Sequence, residues 1–552
     1  MPVMAVAAFL IVAAAGAAPP PGRAAEVDAI FAEYDRPGTP GCVVGVMQDG
    51  ELVLTKGYGL ASLEWGITNG ARTVFNTASI AKQFTAAAVH LLAADGTLSL
   101  DDDVRKWIPE LFDHGERVTL RHLIHHTGGL RTGLFGLVRL GDEEVPSEAD
   151  FLAMMARQRG FDFAPGREFS YNNYGYVLLS LVVKRASGKS LRQVAAERIF
   201  GPLGMSDTLF LDDHAEVVPR RATGYEPAAE GRFRVDMGYW DIVGDGNLLT
   251  TVEDLARWQL NFENPRVGGP ALVEALLRPG VLADGTPLQY GSGLMLRTFA
   301  DQPVVRHRGL GSYPSEVMRF PGRRLHVICL CNHGGAQAWR LAERVAELWI
   351  GPEPDPAAGV VPDPETVVAA RAGLYRDPEN GTQVRVSVKD GNLFVGSPYG
   401  GAELVHLGGN QYLWPDRGWA ARAVIDGKQF RWNPVLGRSG TLERFEPVRP
   451  SAAELRRFAG RYFSPELDVH WEVSVDEGRP ILRIRGGPPR PLSPGAKGEL
   501  VSKGLALRFA PGSGPARGFR LFVGPVRGLP FERVPDRPAG SARTNSTSTK
   551  SP

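Results

Sequence analysis

Three observations predict an α+β domain, an antiparallel sheet flanked by helices with a helical lobe, followed by two all-β antiparallel barrels. Strand-like runs stand at both ends of the first 350 or so residues, with helical patterns between them. A Pro-rich stretch follows, Gly351-Pro352-Glu353-Pro354-Asp355-Pro356, and after it helical periodicity nearly disappears. The remainder then repeats itself. Ala372-Gly373-Leu374-Tyr375 matches Ala459-Gly460-Arg461-Tyr462, Val386-Ser387-Val388 matches Val473-Ser474-Val475, and Phe445-Glu446 matches Phe531-Glu532.

Taken in order, residues 1–25 read as an export leader. The apolar run 5–15 is too short to span a bilayer, and small residues and Pro19-Pro20-Pro21 follow it. No Lys or Arg precedes the run, which departs from the usual front of such a leader. The expected location is periplasmic or secreted, with no membrane span once the leader is removed. Residues 26–352 form the α+β domain. Cys42-Val43-Val44-Gly45-Val46-Met47 and Glu51-Leu52-Val53-Leu54-Thr55 flank Asp49-Gly50, a hairpin signal. Thr251 with Asp254 marks a helix start, and strand patterns return between residues 293 and 331 before a helical pattern closes the domain. If the first and last strands pair, Cys42 comes near Cys329 and Cys331, which read as buried thiols; a disulfide is possible in an exported protein but is not predicted. Residues 353–363 are the linker. Residues 364–449 and 450–535 are the two barrels, whose short alternating strands suit that architecture. Residues 536–552, rich in Ser, Thr and Arg, read as a disordered tail.

Composition narrows the function. Lys plus Arg number 62 and Asp plus Glu 61, so no net charge favours nucleic acid or an anionic membrane surface. Three cysteines cannot staple 552 residues, so packing must hold the chain together. His122, His125 and His126 lie at helical spacing, but no H-E-x-x-H and no completing carboxylate accompany them, so no metal and no cofactor are expected.

Three short segments carry chemistry. Lys82 follows Ser79 by three residues, which in a helix sets both side chains on one face. Ser79 at a helix start feels a field that favours developing negative charge, and a desolvated neutral amine beside a hydroxyl can take its proton. Tyr171 and Asn173 form the chain's Tyr-x-Asn; a phenol serves as acid or base if a nearby cation lowers its pKa. His307 and Gly309 share one face of a late strand, and the glycine lets a substrate backbone approach.

In this order the segments resemble the penicillin-recognising serine hydrolases, whose pattern is S-x-x-K, Y-x-N, then K-T-G or H-x-G. Residues 123–130 (Leu-Ile-His-His-Thr-Gly-Gly-Leu) and 246–256 are similar to two further segments of that superfamily. The resemblance implies that Ser79 is the acylated nucleophile and that Lys82 and Tyr171 share the proton transfers. It also implies that Asn173 bonds the substrate amide or Lys82, and that the backbone N–H groups of Ser79 and Leu310 form an oxyanion hole. His307 stands where β-lactamases and DD-peptidases usually carry Lys. A His with the ordinary pKa of about 6.5 is mostly neutral at pH 7, and recognition by its charge would change near neutrality. That favours an aminopeptidase or esterase over a carboxylate-reading enzyme.

The layout of one catalytic domain and two barrels resembles the D-aminopeptidases of that superfamily. The implied function is hydrolysis of amide or ester bonds of a small molecule or short peptide. Carboxylesterase, DD-peptidase or β-lactamase activity is the alternative on the same site, and a penicillin-type binding or sensor protein without turnover is the alternative of another class. A homodimer is compatible with the sequence. Trp414, Trp419 and Trp432 either fill the first barrel or stack on sugars. Residues 486–491 hold two glycines and three prolines. By the same resemblance this loop, with Gly486, Gly487 and Arg490, overhangs the pocket of Ser79 as a gate.

Overall fold

A computed structural model describes residues 22–535, apart from 139–144, 239, 380, 382, 398–399, 417–418, 434–439, 485–486 and 503. The leader up to residue 21, the tail and Gly486 lie outside the described residues.

The first domain is built on a six-stranded antiparallel sheet of β1 (Cys42–Gln48), β2 (Glu51–Tyr58), β3 (Met295–Phe299), β4 (Gln302–Gly309), β5 (Ser315–Phe320) and β6 (Leu325–Cys331), in the order β3-β4-β5-β6-β1-β2. The first and last strands pair, Cys42 opposite Cys331 and Gln48 opposite Leu325. β1 is apolar from Cys42 to Met47 because both its faces are covered. Val43 and Met47 pack with α2 (Ala81–Ala94) and α4 (Val252–Leu260), while Val44 and Val46 pack with α1 (Arg23–Phe31) and α5 (Ala338–Ile350). Gly45 lies so close to α4 that a Cβ there would stand 2.3 Å from Val252 Cγ1. The expected cap of α4 is present: the Thr251 side chain accepts from Asp254 N at 3.1 Å. The helical lobe inserted between the two halves of the sheet includes α3 (Asn173–Ser187), which packs against α2.

Cys42 and Cys331 are joined as a disulfide across this register. The reading of buried thiols therefore holds only for Cys329, whose Sγ lies 3.8 Å from that of Cys331. Strand alternation places residues 329 and 331 on one face; the β1–β6 register brings Cys42 to the same face.

Each barrel is a nine-stranded antiparallel sheet whose two edge strands are consecutive in the chain, so the sheet curls back on itself. The internal repeat has a concrete cause. Each unit opens with a short helix, Glu365–Arg371 or Ala452–Phe458. The matching tyrosines tie those helices to the first strand: Tyr375 Oη donates to the Arg371 carbonyl and Tyr462 Oη to the Phe458 carbonyl, both at 2.6 Å. Trp414 is buried in the first barrel's core with Trp432 packed beside it, ring centroids 5.3 Å apart, so these two fill the barrel; the side chain of Trp419 lies outside the described residues.

The second barrel docks on the helical lobe through charges withdrawn from water. Arg131 pairs with Glu466, Gln158 Nε2 donates to the Glu466 carbonyl at 3.0 Å, and Arg527 reaches Asp162 through its backbone N–H (2.8 Å) and Glu168 through its guanidinium (2.9 Å). Burial pushes the Asp162 carboxyl up to about 7. The described part of the loop expected to gate the pocket ends in a strand. Arg490–Pro491 is an exposed edge strand at the seam of the second barrel, Leu482 opposite Arg490 and Ile481 opposite Pro491. Proline suits an edge strand because it has no N–H to offer a further neighbour. That accounts for the stiffness read as a projecting gate.

Candidate active site

Ser79 sits in a 3-10 turn, Ala78–Ile80, that runs directly into α2. The turn is entered with Ala78 at φ +44°, a conformation costly for a residue with a Cβ. It is held by Asn76, whose Oδ1 accepts from Ala78 N at 2.9 Å and whose Nδ2 donates to Asn247 Oδ1 at 3.2 Å. β4 closes on the same turn from the other side. At Gly309 a Cβ would lie 2.4 Å from the Thr77 carbonyl oxygen, so glycine is required for the strand to pass. This packing, rather than space for substrate, explains that position of the third motif.

The Ser79 hydroxyl lies between two groups. Lys82 Nζ is 2.9 Å from Oγ, and the Tyr171 hydroxyl hydrogen-bonds Ser79. Lys82 is 0% exposed, and burial lowers its amine from the usual value to about 8, with the Asp245 charge pulling the other way. Its other bond goes to the Asp245 carbonyl oxygen at 2.7 Å, not to Asn173 as the resemblance allowed. Asn173 is exposed on the cavity, free to meet a substrate amide, while its neighbour Asn172 caps α3 by accepting from Gly175 N at 3.1 Å.

The phenol of Tyr171 departs from the expected direction. Lys82 Nζ stands 5.0 Å from its ring centre, yet burial dominates and pushes the phenol well above its ordinary value. Tyr171 therefore stays protonated and is equipped to donate or relay a proton, not to act as a phenolate.

His307 is corrected in the same sense. It is 1% exposed, and burial, aided by the Lys82 charge, lowers it to about 3. It remains neutral across the physiological range, so no charge switch near neutral pH arises from it. Its Nδ1 lies 2.9 Å from the Arg308 carbonyl, which can only accept, so the ring proton is on Nδ1 and Nε2 is a bare acceptor. Nε2 faces the Tyr290 hydroxyl at 3.4 Å. Tyr290 Oη in turn accepts from His126 Nε2 at 3.1 Å, because Asn172 N donates to His126 Nδ1 at 3.0 Å and fixes that tautomer.

His126 and Tyr290 were not among the sequence candidates, although His126 lies in the segment 123–130 singled out above. They are positioning residues. Tyr290→Phe would strip the hydroxyl that serves both imidazoles, leaving two buried groups without that partner, at about 1–3 kcal/mol. We expect kcat/KM to fall roughly 5- to 100-fold with the far-UV spectrum unchanged. Wild-type kinetics in this variant would mean that the array does not position His307.

Ser79, Asn173 and Leu310 line one cavity of about 540 Å³, with Phe135, Tyr174, Trp240 and Tyr313 on its walls. Its charged lining residues are Asp236 and Asp245; among the described residues neither Lys nor Arg lines it. None of Gly487, Arg490 and Pro491 lines it either. A hydroxyl set between a buried amine of lowered pKa and a protonated phenol, at a helix start and open to such a cavity, is equipped for acyl transfer through serine.

Comparison with known proteins agrees with this chemistry. A D-aminopeptidase of Cereibacter sphaeroides is 29% identical over 476 residues, covering 82% of this chain and 86% of that protein. A D-aminopeptidase of Gluconobacter oxydans is 30% identical over 378 residues, covering 66% and 68%. The octameric penicillin-binding protein homologue from Pyrococcus abyssi shares the fold, with a TM-score of 0.54 at 24% identity over 76% of this chain and 99% of that one. The model of the Beta-lactamase family matches residues 27–348, more than half of the sequence, and the chain belongs to that family of serine hydrolases.

Proposed function

We propose that this protein is a D-aminopeptidase-like hydrolase that removes an N-terminal amino acid from an amide or short peptide through an acyl-enzyme on Ser79. Lys82, as the neutral amine, takes the proton of Ser79 as Oγ attacks the carbonyl carbon. Tyr171, protonated and bonded to Ser79, completes the path by which that proton reaches the leaving amine. The backbone N–H groups of Ser79 and Leu310 receive the oxyanion. Water then repeats the sequence and releases the acid.

The observation that carries the choice of substrate is the charge of the cavity wall. The two aspartates on that wall suit a cationic group and repel the carboxylate that β-lactam and DD-peptidase substrates carry beside the scissile bond, and the buried His307 behind it is neutral and offers that carboxylate no charge. Preference for the D-configuration is supported by the D-aminopeptidase relatives. Export is supported by the apolar leader run and by the Cys42–Cys331 disulfide, which fits an oxidising compartment. Among the described residues no helix is long and apolar enough to cross a membrane.

A hydrolysis panel of D- and L-amino-acid p-nitroanilides, short-chain esters and a chromogenic cephalosporin tests the reading. D-amino-acid anilides are expected to give the highest kcat/KM. Preference for the cephalosporin, or for the L-series, would overturn it.

A further inference from the structure

The proposal above leaves open which group reads the free amine of the substrate. We infer that the Asp245 carboxylate is the specificity-determining contact for a protonated α-amino group, an inference that rests on the aminopeptidase reading.

Position is the first argument. An α-amino nitrogen is one carbon away from the carbonyl that Ser79 attacks, so its partner must stand beside Ser79. Asp245 does: its carbonyl holds Lys82 Nζ at 2.7 Å, and the same Nζ is 2.9 Å from Ser79 Oγ. The backbone there is fixed by close packing at Gly244, while Gly246 packs on the Ser79 turn at ordinary contact distance. At Gly244, φ is +115° and a Cβ would stand 2.5 Å from the Tyr176 carbonyl oxygen, while a Cβ at Gly246 would be 3.8 Å from Ala78. Asp245 therefore has a set place on the cavity wall.

The second argument is charge. The carboxylate is held by its own backbone N–H, and among the described residues no Lys, Arg or His nitrogen lies within salt-bridge distance of it. Burial disfavours its ionised form, and Lys82 offsets this. A carboxylate withdrawn from water without a paired cation gains most from a ligand that brings one. Asp236, the other acid on the wall, already accepts from Gly238 N at 3.0 Å within its own turn. The aromatic walls add faces for an aromatic or aliphatic side chain on the same substrate; the rings of Phe135 and Trp240 are 5.7 Å apart.

Two esters that differ only in the amine isolate this contact: D-phenylalanine methyl ester and methyl 3-phenylpropanoate, assayed at a pH of about 6, below the usual α-amino pKa of about 7.7. Wild type is expected to favour the amine-bearing ester. Asp245→Asn should lower the ratio of kcat/KM for that ester to kcat/KM for the uncharged ester roughly thirtyfold, mainly through KM; a change shared by both esters reports the Asp245 charge acting on Lys82 and cancels in the ratio. Equal losses on both esters would show that Asp245 acts through Lys82, and no loss on either would show that it reads nothing; both overturn the inference. If the variant does not fold, inhibition of wild-type hydrolysis of the uncharged ester decides. 2-Phenylethylamine should inhibit at least about tenfold better than 3-phenylpropanoate, and the reverse order overturns the inference. An enzyme that cleaves D-amino-acid anilides yet keeps its ester ratio in Asp245→Asn refutes the residue and leaves the aminopeptidase reading standing. One that prefers the uncharged ester outright refutes both.

Discussion

Ser79→Ala is expected to lose at least about three orders of magnitude in kcat on every substrate the wild type turns over, because it removes the atom that carries the acyl group. Nothing nearby replaces it. The hydroxyl is singled out by its turn, by Lys82 Nζ at 2.9 Å and by its hydrogen bond with Tyr171. The same geometry predicts that a fluorophosphonate adds one label to the wild-type chain and none to Ser79→Ala, read by intact mass. A labelled Ala variant would move the nucleophile elsewhere. The variant should keep its melting behaviour, since a half-buried hydroxyl adds little to a core that already contains Ile80, Ala81 and Phe84.

How much of this was legible beforehand follows from what each residue depends on. Ser79 and Lys82 depend on helical spacing, which is written in the chain, and the repeat of the two barrels is written there as well. The Cys42–Cys331 bond depends on strand register, which sequence suggests but does not set. The contact to Asp245 is made by a backbone carbonyl, which any residue would present, so no side-chain pattern announces it. His126 and Tyr290 are 164 positions apart and meet only in the folded core. Direction of pKa shift was the least legible. For Tyr171 burial opposes the hydrogen bond to Ser79 and governs, while for His307 burial and the Lys82 charge act in the same direction, and only the packed structure shows either. The stretch around Arg490 is a different case. Proline-rich segments are stiff both as projections and as edge strands, and the pairing with Ile481 and Leu482 decides between them.

Lys82 yields the second large effect and the one with a pH signature. Lys82→Met and Tyr171→Phe should each cost about two to four orders of magnitude in kcat, and the double variant little more than the worse single one, because both serve one proton path. Independent, additive losses would separate them into unrelated roles. The pH dependence follows from the base form being the neutral amine. Burial sets Lys82 at about 8, so the competent fraction is small at pH 6, grows tenfold per unit, and levels off above pH 8. kcat/KM on an uncharged ester should therefore rise along a single limb between pH 5.5 and 8. His307, at about 3, and Tyr171, held well above its usual value, contribute no step in that window; Asp162, at about 7, lies at the barrel contact and not in the site, so the limb is expected to persist in Asp162→Asn and to vanish in Lys82→Met. An uncharged substrate matters here, because an aminoacyl substrate loses its own proton near the same pH and would bend the curve downward just as the base becomes available. A flat profile, or one falling with pH, would mean that the amine does not act as the base. Proton removal from Ser79 would then have to be assigned to Tyr171, against the direction in which burial drives its phenol.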